Sequence, residues 1–342
     1  MRARGIVMLV AALALALCGL AQGAAAAPAQ QGFRRAPLRT GGMPAAKAAP
    51  AAARKTAAKP QPAAESPWRR TPYVGALVAE TGSGRILFAD HADQPARMAS
   101  VSKLMTLLLV LEDVEAGKYG FDAEVRPSAV VFRSEPSWMG LKPGEPVKLE
   151  HLLCGLMVRS ANDAALALAE WSGTCGKGGN GSPTNAVRRF VARMNARAAE
   201  LGMANTVYYN PNGLPPNKKF DTANFNVTTC RDQLKLAMEM VKRKDVFRFT
   251  SLKTWTMPNG QNAVNHNNVM VKDKRKILNA DGREAVDGLK TGYIDAGGSS
   301  VVLTGMRGGK RAIVVVLGSS SSDERDDRAG HLLSDALGAL AW

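Results

Sequence analysis

The 342-residue chain has only four histidines and four cysteines. No Cys-x-x-Cys or His-Glu-x-x-His spacing occurs, so the sequence carries no recognisable zinc motif, and no cofactor is expected. There is no Gly-x-Ser-x-Gly elbow for His91, His151, His266 or His331 to serve, which weakens any Ser-His-Asp reading. Acidic residues are outnumbered: 29 Asp and Glu face 45 Lys and Arg, a formal net charge of +16. The apolar run from Gly5 to Leu20 is too short and too rich in alanine to favour a permanent membrane span.

That run is instead flanked like a secretory leader. Arg2 and Arg4 precede it, and small residues at Ala21, Gly23 and Ala24 to Ala27 follow, so cleavage is expected between about residues 23 and 27. Cys18 is not read as a lipidation site, because Leu17 stands where a small residue is wanted. Residues 28–70 are mostly Ala, Pro, Gln, Lys and Arg without hydrophobic periodicity, and hold about half of the net charge. They are expected to form a disordered tether, either a plain spacer or an arm for anionic wall or membrane surfaces. The chain is therefore placed in the periplasm or cell envelope, where nucleic acid is not an expected partner. Export also permits a disulfide. Cys154 lies in an apolar segment and reads as packing, which leaves Cys175 and Cys230 as the preferred pair; spacing alone does not settle it.

The folded part is expected over 71–342. Tyr73 to Ala79 and Arg85 to Ala89 read as a hairpin around Thr81-Gly82-Ser83-Gly84. A helix starting near Ser100 is apolar nearly all round and should be buried. About 117–279 reads as a mostly helical insert, with its best candidates over 150–156, 163–171, 186–201 and 232–242. Three strands follow, at 286–291, 299–306 and 311–317, the last two joined at Gly308-Gly309. The closing helix over 323–340 places Leu332, Leu333, Ala336, Leu337 and Leu340 on one face. Strands at both ends with helices between them imply an α+β fold: an antiparallel sheet packed between helices, plus the insert.

Three short elements carry the chemistry. A lone Ser-x-x-Lys means little, since roughly one copy is expected by chance in a chain this long. Here Ser100-Val101-Ser102-Lys103 opens a buried helix, where Ser and Lys three apart share a face. A cation at the positive end of a helix, ahead of an apolar run, is a candidate neutral base for the Ser100 hydroxyl. The bland alternative for Ser100 is a helix cap. Ser160-Ala161-Asn162 follows an apolar segment; Ser160 suits proton relay and Asn162 offers both a donor and an acceptor to a peptide. Lys290-Thr291-Gly292 ends a strand: a cation, a hydroxyl for a carboxylate, and a residue without a side chain where a substrate can approach. The N–H groups of Ser100 and Tyr293 are placed to receive an oxyanion. The bland alternatives are a second helix cap and an edge strand guarded by lysine.

With these motifs the chain resembles the low-molecular-weight penicillin-binding proteins, the serine-type D-alanyl-D-alanine carboxypeptidases, over roughly residues 71–340. Met98 to Thr106, Arg159 to Ala165, Tyr209 to Leu214, Asn265 to Asn267 and Val286 to Tyr293 carry the resemblance. It implies a penicillin-binding protein/β-lactamase-like transpeptidase fold, an acyl-enzyme on Ser100 with Lys103 as base, and Ser160, Asn162, Lys290 and Thr291 completing the site. Arg325 resembles the family arginine that holds the terminal carboxylate. The implied substrate is a peptidoglycan pentapeptide that loses its last D-alanine, with β-lactam antibiotics as inhibitors. The stretch between Asn162 and Lys290 is longer than the family leads one to expect, with the extra residues falling near 172–183, 214–226 and 272–283. The alternatives are a D,D-endopeptidase of the same family, a class A β-lactamase with Glu200 as the nearest candidate for activating water, and a non-catalytic cell-wall-binding protein.

Overall fold

The computed structural model describes residues 68–131, 136–176, 182–216, 224–272, 276–279 and 281–340. The leader and nearly all of the expected tether lie outside the described residues. Trp68 to Arg70, assigned to the tether from sequence, belong to the folded unit. Arg69 donates from Nη2 to the Ser320 carbonyl at 2.5 Å, and the Arg70 N–H donates to the Gly318 carbonyl at 2.9 Å.

The opening hairpin is β1 (Gly75–Glu80) and β2 (Ile86–Asp90). A two-residue strand, β3 (Ala96–Arg97), leads into a 3-10 turn (Ala99–Ser102) and then α1 (Lys103–Glu115). The insert pairs β4 (Glu124–Val125) with β5 (Val147–Lys148) and continues through α2 (Leu149–Cys154), a π-helical turn (Gly155–Arg159) and α3 (Asn162–Gly173). It goes on with α4 (Pro183–Glu200), β6 (Val227–Thr228, paired with β3), α5 (Cys230–Met240) and α6 (Lys244–Thr250). A hairpin of β7 (Thr254–Thr256) and β8 (Asn262–Val264) and the short α7 (Asn268–Val271) follow. The chain then returns to the main sheet with β9 (Val286–Ile294), β10 (Gly298–Arg307) and β11 (Lys310–Ser319), and closes with α8 (Ser322–Leu340).

The main sheet runs β2-β1-β11-β10-β9 and is antiparallel throughout, so first and last strands meet in its middle. Its central strands are buried on both faces, which is why they read as continuous apolar runs. Leu77, Ile313, Val315 and Leu317 face the larger core with α1, α3 and α5. Ala76, Val78, Val314 and Val316 face the smaller one with Leu333, Ala336 and Leu337 of α8. This is the expected α+β arrangement. The insert is less uniformly helical than its sequence suggested: β4/β5, β6 and β7/β8 are strands two or three residues long, too brief to show a period of two.

α1 is the axis of the larger core. Lys103 to Leu111 are all buried, and each leucine contributes roughly 2 kcal/mol by leaving water. Its far end is tied by charge. Buried Asp113 accepts from Arg193 Nη2 at 2.7 Å, from Lys118 Nζ at 2.5 Å and from Ser172 Oγ, joining α1, α3 and α4. Burial alone would raise its carboxyl; these bonds outweigh burial and hold it below the usual range. Among the described residues no disulfide joins Cys175 to Cys230, contrary to the sequence expectation. Cys230 is sealed at the start of α5 with Sγ 3.3 Å from where a Cβ on Gly75 would lie, whereas Cys175 is half-buried just beyond α3. No described helix is long and apolar enough to cross a membrane.

Candidate active site

The serine at 100 does not start the α-helix. It sits in the 3-10 turn that precedes it, entered through Ala99 at φ +47°, and Lys103 is the first α-helical residue. The turn is gripped from two sides by glycine. A Cβ at Gly213 (φ +82°) would fall 1.7 Å from the Ala99 carbonyl oxygen. One at Gly292 would lie 3.0 Å from the Met98 oxygen and from the Ser100 and Val101 nitrogens. The absent side chains let strand β9 and the 209–214 segment close against the serine backbone.

Lys103 is fully buried. Its Nζ lies 2.8 Å from Ser100 Oγ, 2.8 Å from Asn162 Oδ1 and 2.8 Å from the Asn212 carbonyl oxygen. Burial, and then the Lys290 charge, push the amine well below the ordinary lysine range, with Asp163 acting in the opposite sense. The Asn212 carbonyl was not anticipated from sequence. It is held in place because Thr106 Oγ1 donates to the Pro211 oxygen at 2.7 Å, and Asn226 Nδ2 donates to Ser102 Oγ and to the Asn210 oxygen at 2.8 and 2.9 Å.

The second element is built by a change of helix type. The π-helical turn ends at Ser160, which adopts the left-handed conformation (φ 57°, ψ 33°), and α3 restarts at Asn162. The reversal points Ser160 into the cleft and leaves Asn162, buried, beside Lys103. Asp163, missed from sequence, anchors the opposite rim. Its buried carboxylate accepts from the backbone N–H groups of Met139, Gly140, Leu141 and Ala164 at 2.9–3.1 Å. The Asn162 N–H donates to the Ser137 oxygen at 2.7 Å. Together they fix the 137–141 segment, most of which lines the same cleft as Ser100 and Ser160.

The third element lies on β9, the last strand of the main sheet. Lys290 is 2% exposed and donates to the Thr291 oxygen at 3.0 Å; burial, then the Arg325 charge, push it down to about 7. Thr291, Gly292 and Tyr293 line the cleft. The Tyr293 side chain points outward, 53% exposed, with its hydroxyl donating to Asp295 Oδ1 at 2.5 Å. Arg325 reaches the cleft from the first turn of α8, paired with Asp326 at 2.7 Å.

The structure thus brings all nine sequence-selected residues to one open cleft of about 1510 Å³: Ser100, Ser160, Thr291, Gly292, Tyr293 and Arg325 line it, and Lys103, Asn162 and Lys290 are buried. Besides the Asn212 carbonyl and Asp163, two parts of the lining were not selected. The β7–β8 hairpin supplies one wall, and its short strands left no pattern to read. His266, which the sequence placed in a segment resembling the family but gave no role, also lines the cleft; burial and then Lys290, Arg159, Arg325 and Lys103 push it down to about 4. Glu200 is not in the lining: it is exposed and pairs with Arg197 at 3.1 Å. Among the described residues no group of three His, Cys, Asp or Glu side chains is placed to hold a metal ion.

A family model described as D-alanyl-D-alanine carboxypeptidase matches residues 64–321. The D-alanyl-D-alanine carboxypeptidase DacF of Bacillus subtilis is 30% identical over 263 residues, 77% of this chain and 61% of the relative. A D-alanyl-D-alanine endopeptidase of Pseudomonas aeruginosa is 31% identical over 182 residues, 52% of this chain and 51% of the relative. The chain therefore spans about half to three fifths of the length of these relatives. Among solved structures, penicillin binding protein 6B from Escherichia coli superposes with a TM-score of 0.64 at 27% identity, covering 76% of each chain.

Proposed function

The chain belongs to the D-alanyl-D-alanine carboxypeptidase family, and from that membership and the geometry of the cleft we propose that it is a serine-type carboxypeptidase that removes the terminal D-alanine from peptidoglycan stem peptides. The observation that carries this reading is the set of contacts around the Lys103 amine. A protonated amine donates to all three neighbours. A neutral one has two N–H bonds and a lone pair. Two of the neighbours, Asn162 Oδ1 and the Asn212 carbonyl, can only accept, and the third, Ser100, has a hydroxyl that can donate. The neutral amine therefore fits with its lone pair on the Ser100 proton, and complete burial favours that form.

In this mechanism Lys103 takes the hydroxyl proton as Ser100 Oγ attacks the carbonyl of the penultimate D-alanine. The oxyanion is received by the N–H groups of Ser100 and Tyr293. The C–N bond breaks as a proton passes through Ser160 to the leaving amine, and D-alanine departs. Water then adds to the ester, the Ser100–acyl bond breaks, and the shortened peptide leaves with a new carboxylate. Lys290, Thr291 and Arg325 hold the terminal carboxylate of the substrate, and Asn162 orients its backbone. β-Lactams acylate the same serine. The enzyme works outside the cytoplasm once the leader is removed, and the basic segment before residue 68 acts as a spacer or surface arm; unchanged wall and membrane retention after deletion of residues 28–66 would exclude the arm.

The test is mass spectrometry of residues 28–342 after exposure to benzylpenicillin, with Ser100→Ala as control, followed by D-alanine release from a pentapeptide. A stable adduct on Ser100 with D-alanine release supports the proposal. An adduct with cleavage of cross-linked dimers instead selects the endopeptidase, rapid turnover without adduct a β-lactamase, and neither adduct nor turnover a binding protein.

A further inference from the structure

Among the described residues the cleft lining contains three arginines, Arg69, Arg159 and Arg325, and neither an aspartate nor a glutamate. Two of these cations are engaged. Arg325 holds Asp326 at 2.7 Å, and Arg69 bonds the Ser320 carbonyl. Arg159 is half-buried, lies next to Ser160, and among the described residues makes no hydrogen bond or ion pair. It ends the π-helical turn, so the backbone feature that aims Ser160 also fixes where Arg159 stands. A guanidinium that faces the cleft without a partner is open to an anion, and it suits a carboxylate through two parallel N–H bonds. In the proposed mechanism the terminal carboxylate is already served by Lys290, Thr291 and Arg325 on β9 and α8, and Arg159, on the turn between α2 and α3, is left for a second anion.

We propose that Arg159 is a specificity-determining residue that binds a second carboxylate, carried by the acyl half of the peptide substrate, so that the cleft selects stem peptides with a free side-chain carboxyl over those in which it is amidated or missing. This rests on the carboxypeptidase reading and adds the substrate subclass. The bond broken is unchanged. The carboxylate acts by adding binding energy before and during acylation, so its effect falls on kcat/KM, and salt weakens it because the site is open to water.

The experiment compares two pentapeptides that differ only in the third residue, a diamino dicarboxylic acid with its side-chain carboxyl free or converted to the carboxamide. D-alanine release is followed for the wild type, Arg159→Gln and Arg159→Lys at low and high salt, and benzylpenicillin acylation reports in each case that the serine site is assembled. The expected result is a preference in kcat/KM of about fivefold for the free carboxyl in the wild type, the upper end for one partly solvated charge pair. It shrinks in high salt, is lost in Arg159→Gln, and is partly kept in Arg159→Lys. A wild-type ratio near one overturns the inference whatever the variants do, and so does a ratio that Arg159→Gln leaves intact. If neither peptide is cleaved and no penicillin adduct forms, the carboxypeptidase reading itself falls; cleavage of both peptides at equal rates removes only the role of Arg159.

Discussion

Replacing Lys290 with methionine should stabilise the fold while disabling the cleft. Lys290 is 2% exposed, its single hydrogen bond in the described structure goes to the Thr291 carbonyl, and its pKa is pushed from 10.5 down to about 7. That displacement is worth about 5 kcal/mol against the folded state at any pH below 7, taking 1.36 kcal/mol per unit. Relaxation of the site around the buried charge reduces it to roughly half, and losing the bond to Thr291 takes back about 1 kcal/mol. The net gain for Lys290→Met is therefore about 1–2 kcal/mol at pH 6, or a Tm higher by roughly 3–6 °C for a domain of this size. The sign depends on pH. Between about 7 and 10.5 the unfolded chain keeps the lysine proton that the fold has released, so wild-type stability rises with pH over that window. Methionine has no proton to lose, so the difference between the two proteins narrows from pH 7 to pH 10. Urea and thermal unfolding of both proteins at pH 6 and pH 9.5 measure this directly, and benzylpenicillin acylation of the variant should fall by about 100-fold or more. A variant no more stable than wild type at pH 6, or a gap that stays constant to pH 9.5, would refute the claim that Lys290 is held at a thermodynamic cost for function.

Gly213→Ala should destabilise the fold by about 3 kcal/mol or more and abolish acylation, because its Cβ would fall 1.7 Å from the Ala99 oxygen at a φ of +82°; urea unfolding and penicillin labelling report both. Asp163→Ala leaves the N–H groups of Met139, Gly140, Leu141 and Ala164 without their acceptor, for an expected loss of about 3–5 kcal/mol and faster amide exchange across 139–141. With Lys290 at about 7 in the free protein, kcat/KM for a carboxylate-terminated peptide should decline as pH rises above that value, less steeply for kcat once bound substrate holds the proton in place. A profile flat to pH 9 would remove the Lys290 charge from substrate binding.

Much of this was legible in the chain because its determinants are local. Apolar runs at 74–79, 301–303 and 312–317 mark strands buried on two faces, and the leucine face of 332–340 marks the helix that covers one of them. The three short elements were visible because each needs particular residue types at fixed spacing. The cysteine pairing failed because burial depends on neighbours far away in sequence: Cys230 is sealed beneath Gly75. The short strands of the insert, and with them the β7–β8 wall, leave too few residues for a period to register.

Residue order alone determined that a serine and a lysine stand one helical turn apart ahead of an apolar helix, that a serine and asparagine flank a single alanine, and that a lysine, threonine and glycine follow one another on a strand, which continues past them to Ile294 where the sequence had ended it at 291. Only the folded chain decided what surrounds them. The 3-10 turn, the left-handed Ser160 and the two gripping glycines set where Ser100, Lys103 and Asn162 meet. The third contact of the Lys103 amine is a main-chain carbonyl 109 residues away, and no side-chain pattern encodes that. The protonation of the two lysines is decided at the same level, because it depends on how completely packing from distant segments removes water around a charge.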